Sequence, residues 1–214
     1  AKAQPQTGND LFALMEQDDN RLKSARPPRQ IILFSGHMVD RPDRAPPRFP
    51  NSKSGLASDA ILTTLNELGA NDADVAISSG ACGGDLLFAQ HCLDRGMPLH
   101  LYLPMSEPAF LEASVDFAGE TWTKRYFRVR NHPNTLLYVL PDEVDIDQAD
   151  ENAFARNNRR MLYNALAFGA DKVRFIALWN GAQGDGPGGT QDMIETVQKH
   201  LGQVRILDTK QIFA

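Results

Sequence analysis

Apolar positions fall along this chain in two rhythms. Short unbroken apolar runs occur at residues 30–35, Val75–Ser78, Leu99–Leu103, Thr135–Val139, 173–178 and 204–207, and each reads as a strand. Between them the apolar residues take helical spacing. Leu56, Ile61, Leu65 and Leu68 mark a helix over 54–68. Further helices are predicted over 85–94, over 106–130 as one or two pieces anchored by Trp122, over 150–168 up to Gly169, and over 188–201. Strands buried on both faces lose the apolar–polar alternation, and these six have lost it. Six such strands alternating with helices predict an α/β architecture, a doubly wound and mostly parallel sheet.

Residues 1–29 break the rhythm. They are polar apart from one amphipathic stretch, in which Asn9 is placed to cap a helix carrying Leu11, Leu14, Met15 and Leu22, ended by Pro27-Pro28. We read 1–29 as a linker or docking helix, with a disordered tail as the open alternative, and 30–214 as the domain. The chain starts at Ala1 rather than Met, so attachment to other domains of a larger protein is expected.

Composition narrows the class. Apolar residues make up 42% and charged residues 23% of the 214, the balance of a folded globular chain. At this length one core buries roughly 70% of the unfolded surface, so no disulfide or metal staple is required. Cys82 and Cys92 stand ten apart in no CxxC pattern, which predicts neither a disulfide framework nor zinc and fits a reduced, cytoplasmic setting. The run Ile31-Ile32-Leu33-Phe34 is far too short to span a bilayer, and no membrane partner is expected. The 22 Lys and Arg against 27 Asp and Glu give a net charge of −5, which argues against a nucleic-acid partner but leaves room for a local basic pocket.

In open α/β sheets ligands bind beyond the carboxyl ends of the strands, where the strand order reverses. The turns there are therefore the candidate site. Ser35, Gly36 and His37 follow the first strand. The turn after the second holds Gly80, Gly83, Gly84 and Asp85; after the fifth comes a glycine turn with Gly186, Gly188, Gly189 and Thr190. Glycine lets backbone N–H groups approach an anion closely, and a helix N-terminus adds a favourable dipole. The last turn leads straight into a helix but lacks the Lys of a Walker loop. Asp85 has two open roles, helix cap and acceptor for a ribose hydroxyl. Arg41, Arg44 and Arg48 lie in a proline-stiffened loop after the first strand, where guanidinium forks suit phosphate or carboxylate. In the 150–168 helix, Arg156 or Arg160 is the candidate to face the crevice. The histidines show no metal-ligand spacing, so neither a metal nor a cofactor is expected.

Three segments together carry a family resemblance. IILFSGH at 31–37 with its Pro/Arg loop, SGACGGD at 79–85 and GPGGT at 186–190 resemble the SLOG superfamily over roughly residues 30–207. That group includes the DNA-processing protein A core and the "lonely guy" phosphoribohydrolases. The second segment is similar to the SGxAxGxD turn of the former, the third to the PGGxGTxxE motif of the latter. The resemblance implies a Rossmann-like three-layer sandwich and a small-molecule nucleotide ligand. It implies a sensor domain in a larger bacterial signalling or effector protein, and leaves homo-oligomerisation open. The alternative it implies is hydrolysis of the N-glycosidic bond of nucleoside monophosphates. Here Thr190 follows Gly189 directly, Met193 stands where the motif has its catalytic Glu, and Glu195 comes two residues late. Two residues on a helix turn a side chain by about 200°, so retained hydrolysis is left open.

Overall fold

A computed structural model of the chain describes residues 27–140, 152–182, 188–201 and 204–214. The stretch around Leu11–Leu22 and Gly186 lie outside the described residues. The described chain runs β1 (Ile31–Gly36), α1 (Ser54–Glu67), β2 (Val75–Ser78), α2 (Gly84–Leu93), β3 (Leu99–Leu103), α3 (Glu107–Ser114), α4 (Glu120–Arg130), β4 (Thr135–Val139), α5 (Ala153–Leu166), β5 (Val173–Trp179), α6 (Thr190–Leu201), β6 (Arg205–Asp208) and α7 (Thr209–Ile212). The molecule is α/β, with helices on both faces of a six-stranded sheet.

The sheet order is β4-β3-β2-β1-β5-β6, and every neighbouring pair is parallel. The chain builds outward from β1 to β4, then returns to the other side of β1 to add β5 and β6. The order therefore reverses between β1 and β5, which pair along their whole length from Ile31↔Val173 to Gly36↔Leu178.

β1 shows why its residues form a central strand. Ile31, Ile32, Leu33 and Phe34 are all fully buried, and successive side chains point to opposite faces. Ile32 and Phe34 join the core under α1, α2 and α4, with Ile61, Leu65, Leu86, Phe88, Trp122 and Tyr126. Phe34 stacks on Phe88 at 4.6 Å between ring centroids. Ile31 and Leu33 join the second core under α5 and α6, with Met161, Leu162, Ala165, Met193 and Val197. Fully burying one such aliphatic side chain contributes about 1.5–3 kcal/mol, so β1 alone anchors both layers.

At the amino ends of the strands, Asp74 is wholly buried and fully engaged. It accepts from Arg29 Nε at 3.0 Å and Nη2 at 2.7 Å, from Gln30 Nε2 at 3.0 Å, and from the Asn71 N–H at 2.9 Å. That end of the sheet is closed by these bonds. The carboxyl end is left to the loops.

The expected 106–130 helix is two helices, separated by a 3-10 turn at Asp116–Ala118 and by Gly119. α7 was not expected: its four residues are too few to show a helical period, and Asp208 caps it by accepting from the Lys210 N–H at 2.9 Å.

Candidate functional site

A cavity of about 340 Å³ opens at the carboxyl ends of β1 and β5, at the point where the strand order reverses. Its size lies in the range of small-molecule sites. Four segments form most of its wall: β1 and its following loop from Phe34 to Arg48, the turn from Ser79 to Asp85, Asn152 and α5 as far as Met161, and Gly188 to Gln191 at the start of α6, with Phe117 and Trp179 completing it.

The loop after β1 is organised by Asp40. Its Oδ2 accepts the N–H groups of Arg48 at 2.9 Å and Phe49 at 2.8 Å, and its Oδ1 lies 3.6 Å from Arg44 Nε. These bonds curl the loop so that Arg41, Arg44 and Arg48 all line the cavity. The Arg41 guanidinium sits 4.1 Å over the Phe117 ring and donates to the Ala113 carbonyl at 3.3 Å. Phe49 is fully buried and pins the far end of the loop.

His37 is buried at the base of this loop. Its Nε2 accepts the Asn180 backbone N–H at 3.2 Å, with the Asn180 Oδ1 at 3.1 Å. Burial lowers its pKa to about 4, against the raising effect of Asn180, so the ring is neutral at pH 7. A neutral ring cannot pair with a phosphate as a cation. Here His37 ties the ends of β1 and β5 together and offers the cavity a neutral wall.

The glycines of the second turn set its packing. Gly83 has φ +104, and a Cβ there would stand 2.7 Å from the His37 carbonyl oxygen. Only glycine allows this approach without displacing backbone. Met38 and Gly83 form a bridge, and the Gly84 N–H donates to the His37 carbonyl at 3.0 Å. Gly83 and Gly84 thus hold the loop after β1 in place, Gly80 packs against Leu101, and Ser79, Ala81 and Asp85 line the cavity itself.

Asp85 is in the first turn of α2 and is 6% exposed. Its Oδ2 accepts the Ala81 N–H at 3.3 Å; its Oδ1 has no hydrogen-bond partner. Burial raises its pKa to about 7, against the lowering effect of the backbone groups of Ala81, Gly80 and Gly36. Of the two roles left open for it, the helix cap is not the one observed: Gly83 occupies the cap position. Cys82, next to it, is held as a thiol, its pKa pushed by burial to about 12, so it is no nucleophile at neutral pH.

On the opposite wall, α5 contributes Asn157 and Asn158 rather than Arg156 or Arg160. Asn157 Nδ2 donates to the Tyr102 carbonyl at 3.0 Å, which leaves its Oδ1 as an acceptor without a partner. Asn158 Nδ2 donates to the Gly188 carbonyl at 2.9 Å and so positions the glycine turn. Arg160 lies 5.1 Å over the Tyr102 ring instead. The helix turns by about 100° per residue, so the face carrying Met161 also carries Asn157. Two asparagines on an otherwise apolar helix face were the signal in the sequence. Asn152 and Phe154 also line the cavity and went unread, because nothing in their local pattern sets them apart; Trp179, at the carboxyl end of β5, lines it too.

Gly188 has φ +86, and a Cβ there would stand 2.6 Å from both the Ala155 nitrogen and the Phe154 Cβ. Its N–H donates to Asp192 Oδ2 at 3.1 Å. Gly189, Thr190 and Gln191 then present the start of α6 to the cavity, where the first N–H groups of a helix have no partner within it. Glu195 is exposed, accepts from Gln191 Nε2 at 2.8 Å, and is not among the cavity's lining residues.

Of the sequence-derived candidates, Ser35, Gly36, His37, Arg41, Arg44, Asp85, Gly188, Gly189 and Thr190 meet around one cavity. Among the described residues no group of three or more His, Cys, Asp or Glu is placed to hold a metal ion. Nor is any helix there long and apolar enough to cross a membrane.

No family model and no curated protein matches the chain. Among solved structures it is similar to the structural-genomics target TM1055 at 15% identity and a TM-score of 0.42, covering 86% of this chain and 88% of that one. It is similar to DNA processing protein A from Streptococcus pneumoniae at 12% identity and a TM-score of 0.36, covering 86% of this chain and 60% of that one. The Moco carrier protein from Chlamydomonas reinhardtii gives 12% identity and a TM-score of 0.34, with 88% of this chain and 98% of that one covered.

Proposed function

We propose that the described domain binds a nucleotide or nucleotide-derived anion in the cavity between β1 and β5, as the sensing part of a larger bacterial signalling or effector protein. One observation carries this reading: the start of α6 and the arginines of the loop after β1 face the same cavity at the point of strand reversal. The N-terminus of α6 favours a phosphate through its helix dipole. Arg41, Arg44 and Arg48 close the opposite side with charge-assisted donors. Phe154 and Trp179, both partly exposed, supply apolar surface for a base. A net charge of −5 with three arginines at one cavity suits a small anion better than a polynucleotide.

The second reading, N-glycosidic hydrolysis, loses Glu195, which stands outside the cavity. It retains Asp85, the acidic residue among the cavity's described lining residues.

The test is calorimetry with a panel of mono-, di- and cyclic nucleotides, together with mass spectrometry of whatever the purified protein retains. Binding that is lost in Gly189→Trp supports the reading. If no nucleotide binds and none is retained, the reading fails. Release of free base from AMP, GMP or CMP, seen by chromatography, would replace it with the hydrolytic one.

A further inference from the structure

The two faces of the sheet are unequally covered. α1, α2 and α4 pack on one face, α5 and α6 on the other. Strands lie about 4.8 Å apart and packed helices about 10 Å apart, so one helix covers about two strands. Six strands therefore take three helices on each face, and among the described residues the second face has two. α5 packs mainly against β1, β2 and β3, and α6 against β5 and β1. The second face of β4 is left open.

Alternation along β4 shows what lies there. Leu137 packs against the first core and Tyr138 against the second, so Leu136 shares the face of Tyr138. Leu136 is 52% exposed. His100 is its register partner on β3, and the His100 and Tyr138 rings lie 5.4 Å apart. Tyr138 stacks in turn on Tyr102 at 4.7 Å. The Arg160 guanidinium stands 5.1 Å over Tyr102, and its Nη1 is buried without a hydrogen-bond partner. An apolar and aromatic strip thus ends at a cationic donor that lacks an acceptor, an arrangement that is costly until one is supplied.

The chain holds one amphipathic stretch outside the described residues. On a helix turning about 100° per residue, Leu11, Leu14, Met15 and Leu22 fall on one stripe. Asp18 falls inside it, between Leu14 and Leu11. A carboxylate set in an apolar stripe is unfavourable to bury alone and favourable to bury against a cation. The chain from Leu22 to Pro27, where the described residues begin, spans at most about 17 Å. The three strand spacings from β1 to β4 amount to about 14 Å, so the stretch reaches β4.

We propose that residues 11–22 form a helix that docks on the open face of β4, with its apolar stripe over Leu136 and Tyr138 and with Asp18 accepting from Arg160. This inference is independent of what fills the cavity. It adds a brace to α5, which carries both Arg160 and the cavity residues Asn157 and Asn158.

The test is hydrogen–deuterium exchange of the full chain, read on peptides covering 11–22. A lone helix of this length barely forms in water, so protection there reports docking. The expected result is exchange about tenfold or more slower than in an unstructured chain. Protection should be lost in Leu136→Asp, and equally in Asp18→Arg, which leaves the described fold untouched. Combining Asp18→Arg with Arg160→Glu should restore it. Peptides from β1 in the same spectra confirm that each variant is folded. Unprotected exchange of 11–22 in the native chain overturns the inference. Protection that survives both single variants overturns it too, because the stretch then lies elsewhere. Failure of the paired variant to restore protection overturns the contact between Asp18 and Arg160. A dimer seen by light scattering and dissociated by Leu136→Asp, with exchange of 11–22 unchanged, overturns it in favour of a second copy on this face.

Discussion

His37 Nε2 accepts the backbone N–H of Asn180 at 3.2 Å. This bond joins the first residue beyond β1 to the first beyond β5, across the seam where the strand order reverses. Burial lowers the His37 pKa to about 4, so the ring that makes this contact is uncharged at neutral pH. The unfolded chain titrates near 6.5, so below that pH it takes up a proton that the folded chain refuses. The contribution of His37 to stability is therefore complete above pH 6.5 and is lost as pH falls toward 4. The slope reaches about 1.4 kcal/mol per pH unit. In His37→Gln this part of the acid slope should vanish when urea midpoints are compared with the native chain from pH 4 to 7. An unchanged slope would show that the ring titrates freely.

Asp85 has the opposite sign. Its folded pKa is raised to about 7 from an ordinary 3.8, so the fold holds a proton that the unfolded chain releases. Its contribution is complete below pH 3.8 and is lost as pH rises through 7. Asp85→Asn should gain on the native protein by roughly 1–3 kcal/mol between pH 4 and 7, read as the difference in unfolding free energy at each pH. A constant difference across that range would show that Asp85 ionises in the fold as readily as in water. Between pH 4 and 6.5 the two groups oppose one another, so only the single variants expose either slope.

The residues show how much of this was legible. Ile31, Ile32, Leu33 and Phe34 form an unbroken apolar run because β1 is covered on both faces, so the central strand could be read directly. Val75–Ser78 and Leu99–Leu103 were located to the residue for the same reason, whereas Thr135–Val139, also located to the residue, is an edge strand with Leu136 and Val139 exposed. The glycine turns lie at the carboxyl end of the sheet, where the cavity opens. What sequence could not separate was a glycine facing the ligand from a glycine behind the wall. Gly83 and Gly189 look alike in the chain, yet Gly83 is needed because the His37 carbonyl presses on it from outside the cavity. The arginines of α5 drew attention through charge, whereas the register of the helix turns Asn157 and Asn158 inward. Asn180 was invisible as the partner of His37, since the two are 143 residues apart and meet only through the pairing of β1 with β5.

Gly188 couples the glycine turn before α6 to α5. Its φ of +86 and its 2.6 Å approach to the Ala155 nitrogen leave no room for a side chain. Gly188→Ala should displace the turn, break the bond from Asn158 Nδ2 to the Gly188 carbonyl, and move the start of α6 away from the cavity. We expect a stability loss of about 1–3 kcal/mol, from the strain of a positive φ and the overpacking together. Ligand affinity should fall by more than stability alone explains, measured by calorimetry at a temperature where the variant is fully folded. A variant that binds normally would show that the turn is not part of the ligand site.

Asp74 provides the opposing case, at the amino end of the sheet and far from the cavity. Arg29, Gln30 and Asn71 converge on a carboxylate with no solvent exposure, and together they tie the entry to β1 to the entry to β2. Removing that carboxylate in Asp74→Ala leaves the Arg29 guanidinium and the Gln30 amide without their acceptor. Breaking a buried pair on one side costs about 3–5 kcal/mol, and Arg29 is half-exposed, which places this site at the low end. The expected outcome is a loss of about 2–3 kcal/mol in urea unfolding. Nucleotide affinity below the transition should be unchanged, because β1 carries no residue from this cluster to its carboxyl end. A parallel loss of affinity would mean that the two ends of the sheet are energetically coupled through β1, and that the cavity depends on how the strand is anchored at its start.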